Sequence, residues 1–213
     1  MDFCIFLITD RKKTAGGRPL EDVLRSALDA GVRGVLLREK DLPDRELLSL
    51  AERVRDLTNR YKARLLISER VDIALAVDAS GVHISGRSLP VKVARELMRV
   101  EKYVSASTHS ISEALQAEED GADFVTFGPV YHTPSKAVYG PPVGISALEE
   151  VCLALKIPVF ALGGIKEENA VDTLRAGAFG VAVVSEIIGA QDPALAASSI
   201  MAKIRSFKMR KLI

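Results

Sequence analysis

One local pattern occurs eight times in this chain of 213 residues: a short apolar run, a turn, and a stretch whose apolar residues recur at helical spacing. The apolar runs lie at residues 3–9, 34–37, 64–67, 81–84, 103–106, 124–127, 159–162 and 181–184. They have the length and aliphatic content of strands covered on both faces. Helical patterns alternate with them at residues 18–30, 44–61, 70–77, 90–98, 110–119, 146–155, 167–176 and 193–207. In the first of these, Leu20, Val23, Leu24, Ala27 and Leu28 share one face before Gly31 stops the helix. The segments DAGVRGV, EDGADFV and RAGAFGV repeat one punctuation, in which a helix ends at glycine, a short turn follows and the next strand begins. Strict alternation of this kind predicts an α/β fold with a parallel sheet. Because every strand has the same neighbours, a closed (β/α)8 TIM barrel forming one domain over residues 1–213 is the expectation, with an open doubly wound sheet as the alternative.

The charge balance narrows the range of partners. With 29 basic and 28 acidic residues the net charge is +1, so no global field recruits nucleic acid or an anionic membrane. No apolar run approaches the length of a membrane span. Cys4 and Cys152 lack metal or redox spacing and read as small core residues in a reducing, cytoplasmic compartment. Hydrophobic residues make up 48% of the chain with no Trp, which predicts an aliphatic core. The basic tail from Lys208 to Lys211 reads as a solvated terminus, and nothing in the sequence decides against a homo-oligomer.

A barrel places its chemistry at the carboxyl ends of the strands. Here those ends carry Thr9-Asp10-Arg11, Arg38-Glu39-Lys40-Asp41, Ser68-Glu69-Arg70, residues 83–88, Ser107-Thr108-His109, residues 128–136, Gly163-Gly164 and Ser185. At the seventh end, Gly163 and Gly164 let backbone approach a ligand; at the eighth, Val184 and Ser185 open a helix whose N–H groups suit a phosphate. A plain tight turn is the other reading of the glycine pair. Arg38 and Lys40, two apart at one strand end, together with Lys136 form a cation cluster suited to a diphosphate, although each taken singly is an ordinary rim residue. The longest interruption, residues 128–144, carries Thr133, Ser135 and Lys136 and reads as a lid, with a disordered insertion as the alternative.

The motifs LLREKDLPDREL, RVDIALAVDASGVHI, SASTHSISEALQAEEDGADFVTFGPVYHTPSK, PVFALGGI and GAFGVAVVSEI follow one another across nearly the whole chain. In order and spacing this sequence resembles thiamine phosphate synthase and its relative, the TenI-type thiazole tautomerase. The resemblance implies that Arg38, Lys40, Ser68, Ser107, Thr133, Ser135 and Lys136 face a pyrimidine diphosphate, and that Gly163, Gly164, Val184 and Ser185 hold thiazole phosphate. In the synthase, pyrophosphate leaves hydroxymethylpyrimidine diphosphate and the thiazole nitrogen captures the resulting cation, with Mg²⁺ held between pyrophosphate and two aspartates. This chain departs from that pattern: Ser68-Glu69 stands where the synthase has Asn-Asp, Ser88 stands at the second acidic position, and Leu36 replaces a glutamine. Glu69 is the remaining candidate metal ligand, and Mg²⁺ is expected only if synthase activity is retained.

The TenI-type branch also lacks the aspartates and isomerises a carboxylated thiazole phosphate to its aromatic tautomer, which needs a proton acceptor and donor but no metal. Its histidine falls where this chain has Pro129; His132, three residues on, is the candidate catalytic residue, with simple solvent exposure as the other account. His83 reads as packed inside the barrel and His109 as structural, at the start of a helix. The expectation is thus a TenI-like enzyme acting on thiazole phosphate, as tautomerase or in salvage. A thiamine phosphate synthase and a non-catalytic phosphate-metabolite sensor are the alternatives.

Overall fold

Short strands buried at nearly every position have no solvated face, and closing the sheet on itself lets helices cover one side while side chains fill the other. The computed structural model describes residues 1–86, 88–133 and 141–210. Its strands are β1 (Ile5–Ile8), β2 (Gly34–Leu37), β3 (Arg64–Ser68), β4 (Gly81–Ile84), β5 (Tyr103–Thr108), β6 (Phe124–Phe127), β7 (Val159–Leu162) and β8 (Gly180–Val183). They pair in parallel in sequence order, and β8 closes on β1 through Ile5 opposite Val181 and Leu7 opposite Val183. The helices are α1 (Leu20–Asp29), α2 (Asp44–Arg60), α3 (Val71–Ala76), α4 (Val91–Met98), α5 (Ile111–Glu119), α6 (Gly144–Ala154), α7 (Ala170–Arg175), α8 (Ser185–Ile188) and α9 (Pro193–Arg210). The closed barrel bears out the expected fold class.

Period-two alternation along each strand separates two cores. Ile5, Leu7, Val35, Leu37, Val82, Val125 and Val181 pack outward against the apolar faces of the helices. Phe6, Ile8, Leu36, Leu66, Phe124, Phe160 and Ala182 fill the lumen. The outer layer is aliphatic, as composition suggests, but the lumen floor is aromatic: every pair among Phe3, Phe6, Phe124 and Phe160 has ring centroids between 5.2 and 6.1 Å apart. Such rings find room because strands begin with glycine. A Cβ on Gly34 would fall 2.4 Å from the Phe3 ring, and one on Gly180 2.8 Å from that of Phe160.

Several boundaries shift for local reasons. Residues Arg11–Lys13 and Ala15–Gly17 form two 3₁₀ turns, so α1 begins at Leu20, after Pro19, where the chain can first continue as a helix. The four-residue α8 has no apolar periodicity of its own to announce it. The basic tail is helical through Arg210, and Lys208 Nζ lies 4.4 Å from the centre of the Phe179 ring rather than free in solvent. Cys4 and Cys152 are half-buried, and burial pushes the Cys152 thiol up to about 11. Among the described residues no helix is long and apolar enough to cross a membrane.

Candidate active site

The end of β2 sends successive side chains in opposite directions. Glu39 points away from the lumen and is buried, with its side chain 2% exposed. Its carboxylate accepts from the Arg11 backbone N–H at 3.1 and 3.2 Å and from Arg11 Nη1 at 3.1 Å. The same guanidinium forks onto Asp41 at 2.6 and 2.9 Å, and Lys12 reaches Asp41 at 2.6 Å. Hydrogen bonds from Arg11 and then Lys12 hold the Asp41 carboxyl well below the usual carboxylate range. This network ties the turn after β1 to the end of β2, and so fixes the strand end that carries the two cations. Arg38 donates its backbone N–H to Thr9 Oγ1 at 2.9 Å, while its exposed guanidinium has no hydrogen-bond or ion-pair partner among the described residues.

Lys40 is engaged. Its Nζ lies 2.5 Å from Glu69 Oε1, and the Ser85 hydroxyl donates to that same oxygen. Glu69 adopts φ 63°, a left-handed backbone that costs a residue with a Cβ roughly 1–3 kcal/mol, and its N–H donates to the His83 carbonyl at 2.9 Å. Partial burial is the largest single influence on its carboxyl and opposes ionisation, but the hydrogen bonds from Lys40 and Ser85 and the charges of Lys40 and Arg38 outweigh it, leaving the group below its ordinary range. Ser88 closes its own turn, donating to the Ser85 carbonyl at 2.8 Å and accepting the Ser85 N–H at 3.1 Å. Ser68 is buried on the lumen side of β3.

As a donor set for Mg²⁺ these groups are a poor fit. The ion favours hard, charged oxygens in octahedral array. At this place Glu69 is already neutralised by a lysine, beside uncharged hydroxyls. Among the described residues no three His, Cys, Asp or Glu side chains converge in a way that would hold a metal.

The ends of β7 and β8 meet the loop that follows β6. Gly163 and Gly164 have φ 97° and 65°, which favours glycine in both places. The space a side chain would need there is already filled by the chain itself. A Cβ on Gly163 would lie 2.5 Å from Pro129 Cβ, and one on Gly164 2.6 Å from the His132 carbonyl oxygen and 2.8 Å from Tyr131 Cβ. Val130 N–H donates to the Leu162 carbonyl at 2.8 Å and Tyr131 N–H to that of Gly163 at 3.0 Å. The close approach that the glycine pair predicted is therefore made by this loop. The backbone N–H groups of Gly164 and Ser185 donate to no acceptor among the described residues, which leaves two donors at adjacent strand ends. Val184 stands between β8 and α8, and its carbonyl accepts from Ile187 and Ile188 at 3.2 and 2.9 Å.

The three histidines have different surroundings. His132 is exposed beside Gly164, and Thr133 follows it half-buried; Ser135 and Lys136 lie outside the described residues. His109 donates its backbone N–H to Glu113 at 2.7 Å and bonds the Gly128 carbonyl through Nδ1, a structural tie between the β5 and β6 ends. His83 is buried in the lumen, with Nδ1 2.8 Å from Ser105 Oγ and its ring edge-on to Phe6 at 5.8 Å. Desolvation, helped by the charge of Arg38, pushes this imidazole down to about 3, so it is neutral at physiological pH. Ser107 is half-buried on β5, opposite Thr126 in register. Sequence reasoning brought Arg38, Lys40, Ser68 and Glu69 to one side of the mouth, and Gly163, Gly164, Val184, Ser185 and His132 to the other. It did not foresee the Arg11–Glu39–Asp41 network or the place of Ser85, whose only signal was position at a strand end.

Comparison with known proteins agrees with the fold. The family model described as thiamine monophosphate synthase matches residues 5–187. A putative thiamine-phosphate synthase of Geobacter sulfurreducens is 54% identical over 202 residues, which cover 95% of this chain and 94% of the relative. The thiamine-phosphate synthase of Moorella thermoacetica is 45% identical over 185 residues, covering 87% and 88%. Among solved structures, the thiamine phosphate pyrophosphorylase from Pyrococcus furiosus superposes with a TM-score of 0.88 at 34% identity, covering 96% of each chain. With a closed barrel and a family match over most of its length, this chain is an enzyme of the thiamine monophosphate synthase family.

Proposed function

We infer that the chain acts on a phosphorylated thiazole as a TenI-like, metal-independent isomerase rather than joining it to a pyrimidine diphosphate. The observation that carries this reading is the state of Glu69. Coupling builds negative charge on departing pyrophosphate, and at the place where charge compensation is needed the carboxylate is spent on Lys40 and Ser85 while Ser68 and Ser88 are neutral. Leu36, fully buried in the lumen below Arg38, offers no polar group to a pyrimidine edge. Isomerisation asks less: an anchor for the phosphate and groups that accept and return a proton. The free N–H groups of Gly164 and Ser185 supply the anchor, in keeping with phosphate sites at the last two strand ends of such barrels. His132, beside Gly164, is the proposed proton-transfer residue. Arg38 and Lys40, with Ser107 and Thr133, keep room for a second anionic group; Ser135 and Lys136, which the resemblance assigns to the same group, lie outside the described residues. Mg²⁺ is not required in this reading.

The test is a paired assay. Isomerisation of the carboxylated thiazole phosphate, followed by NMR, should proceed unchanged in EDTA, and thiamine phosphate formation from the two phosphorylated halves with Mg²⁺ should be slight. Efficient Mg²⁺-dependent coupling by the unmodified protein would overturn the reading in favour of a synthase; tight ligand binding with neither turnover would favour a sensor.

A further inference from the structure

The backbone that follows β7 is gripped by two partners. The loop after β6 takes the Gly163 carbonyl, which accepts from Tyr131 N–H at 3.0 Å. Asn169 then brackets Ile165: its Nδ2 donates to the Gly164 carbonyl at 2.9 Å, and its Oδ1 accepts the Lys166 N–H at 2.8 Å. Only this orientation of the amide gives the carbonyl a donor and the N–H an acceptor, so the side chain has one way to sit. Ile165 itself is buried in the layer between sheet and helices, which fixes the middle of the turn.

The direction of the Asn169 side chain is the unexpected part. Asn169 stands at the N-cap of α7, where an asparagine ordinarily accepts from an N–H of the first helical turn. Here it makes no such bond and reaches back five residues to Gly164 instead. The forgone cap needs a cause, and the peptide planes on either side of Gly164 supply one. In a trans peptide the carbonyl and the N–H point in opposite directions. Tyr131 holds the Gly163 carbonyl, so the Gly164 N–H of the same plane is turned away from the β6 loop. Asn169 holds the Gly164 carbonyl, so the Ile165 N–H is turned away from α7. Neither N–H donates to an acceptor among the described residues. Consecutive backbone N–H groups presented in this way form a concavity for an anion.

We propose that Asn169 is the positioning residue of the phosphate anchor: its side-chain amide fixes the Gly164–Ile165 peptide plane, and with it the pair of N–H groups that meets the phosphate of the substrate. This deepens the functional reading above and rests on it. Asn169 acts through the backbone and touches no substrate atom itself. Without it the plane between Gly164 and Ile165 can rotate, since glycine on one side sets few limits on its dihedrals. The donor pair is then correctly aimed for only part of the time, and apparent affinity falls by that fraction.

The experiment uses the full chain with ¹⁵N-labelled glycine, inorganic phosphate and thiazole phosphate as probes, and calorimetry and thermal melting beside the NMR titration. In the wild type both probes should move the Gly164 amide proton downfield, as an N–H donating to a phosphate oxygen does, while Gly31 and Gly121, which precede β2 and β6 at the opposite end of the barrel, stay in place. Asn169→Leu keeps the bulk of the side chain and removes both bonds. Asn169→Ser suits the N-cap equally well but cannot reach back to Gly164, so it should melt close to the wild type. Both variants should weaken both probes about five- to tenfold, with the Gly164 shift appearing only at correspondingly higher ligand concentration. Equal affinity of wild type and Asn169→Ser for thiazole phosphate overturns the assignment while the functional reading stands, and makes Asn169 a turn residue only. A loss confined to thiazole phosphate overturns it as well, by moving the effect from the phosphate to the ring. A wild type that binds thiazole phosphate without a response at Gly164 removes the donor through which Asn169 acts, with the same consequence. If thiazole phosphate fails to bind the wild type at all, the functional reading falls and this inference falls with it.

Discussion

Replacing Glu69 with glutamine separates the two chemistries that this position can serve, because they predict opposite signs. In the structure the carboxylate neutralises Lys40 across 2.5 Å, with the two side chains 43% and 22% exposed for Lys40 and Glu69 respectively. A pyrophosphate placed on the far side of Lys40 would stand about 6 Å from that negative charge. For each doubly charged phosphoryl group, Coulomb repulsion at that distance is about 1.4 kcal/mol at the dielectric constant of water, and screening at physiological salt roughly halves it. Removing the charge should therefore tighten inorganic pyrophosphate about three- to tenfold in the absence of metal, more at low ionic strength than at high. Glutamine keeps the length of the side chain and the same left-handed backbone, so the fold is not otherwise disturbed. The assay is calorimetric titration of pyrophosphate into both proteins, with and without Mg²⁺ and at two salt concentrations. A wild type whose affinity is raised by Mg²⁺, and a Glu69→Gln variant in which that increment is lost, would refute the reasoning and make Glu69 a metal ligand.

Further expectations concern the scaffold and the mouth. Gly164→Val meets the His132 carbonyl oxygen and a left-handed φ, so it should lower stability by roughly 1–3 kcal/mol in chemical denaturation as well as abolish thiazole phosphate binding; an unperturbed melting curve would contradict the contact. Arg11→Ala leaves the buried Glu39 carboxylate with only a backbone donor and should cost roughly 2–4 kcal/mol, read from urea unfolding at neutral pH. His83 is neutral in the fold with its pKa depressed to about 3 against an ordinary 6.5, so the unfolded chain binds the extra proton between those values. Stability should fall as pH drops below about 6.5, by up to about 1.4 kcal/mol per unit, and His83→Gln should flatten that part of the profile. Phe160→Ala, which empties the centre of the aromatic floor, should cost about 3–5 kcal/mol.

The fold was legible because the barrel is written locally. Each strand such as Gly34–Leu37 is a continuous apolar run, and each helix such as α2 carries its own apolar stripe, so neither needed knowledge of distant partners. The rim was legible for the same reason: once strand ends are known, Arg38, Lys40, Glu69, Gly163 and Gly164 follow by position. Features that depend on three-dimensional pairing were not. The Lys40–Glu69 pair joins residues 29 apart, and the Arg11–Glu39 pair residues 28 apart, with no spacing rule to connect them. Lumen polarity was hidden for a related reason, since Ser105 and Thr126 in YVSAST and FVTF look like ordinary strand residues until the barrel closes around them. The helix α8 is too short for any periodic signal.

Phe3 belongs to no strand, yet its ring touches all three other phenylalanines of the floor and lies where Gly34 would otherwise need a side chain. It acts as a stopper: its ring closes the end of the packed lumen opposite the rim residues. Without it Phe6, Phe124 and Phe160 would each lose a ring neighbour, and Phe6 is the ring that meets the buried, neutral His83 edge-on.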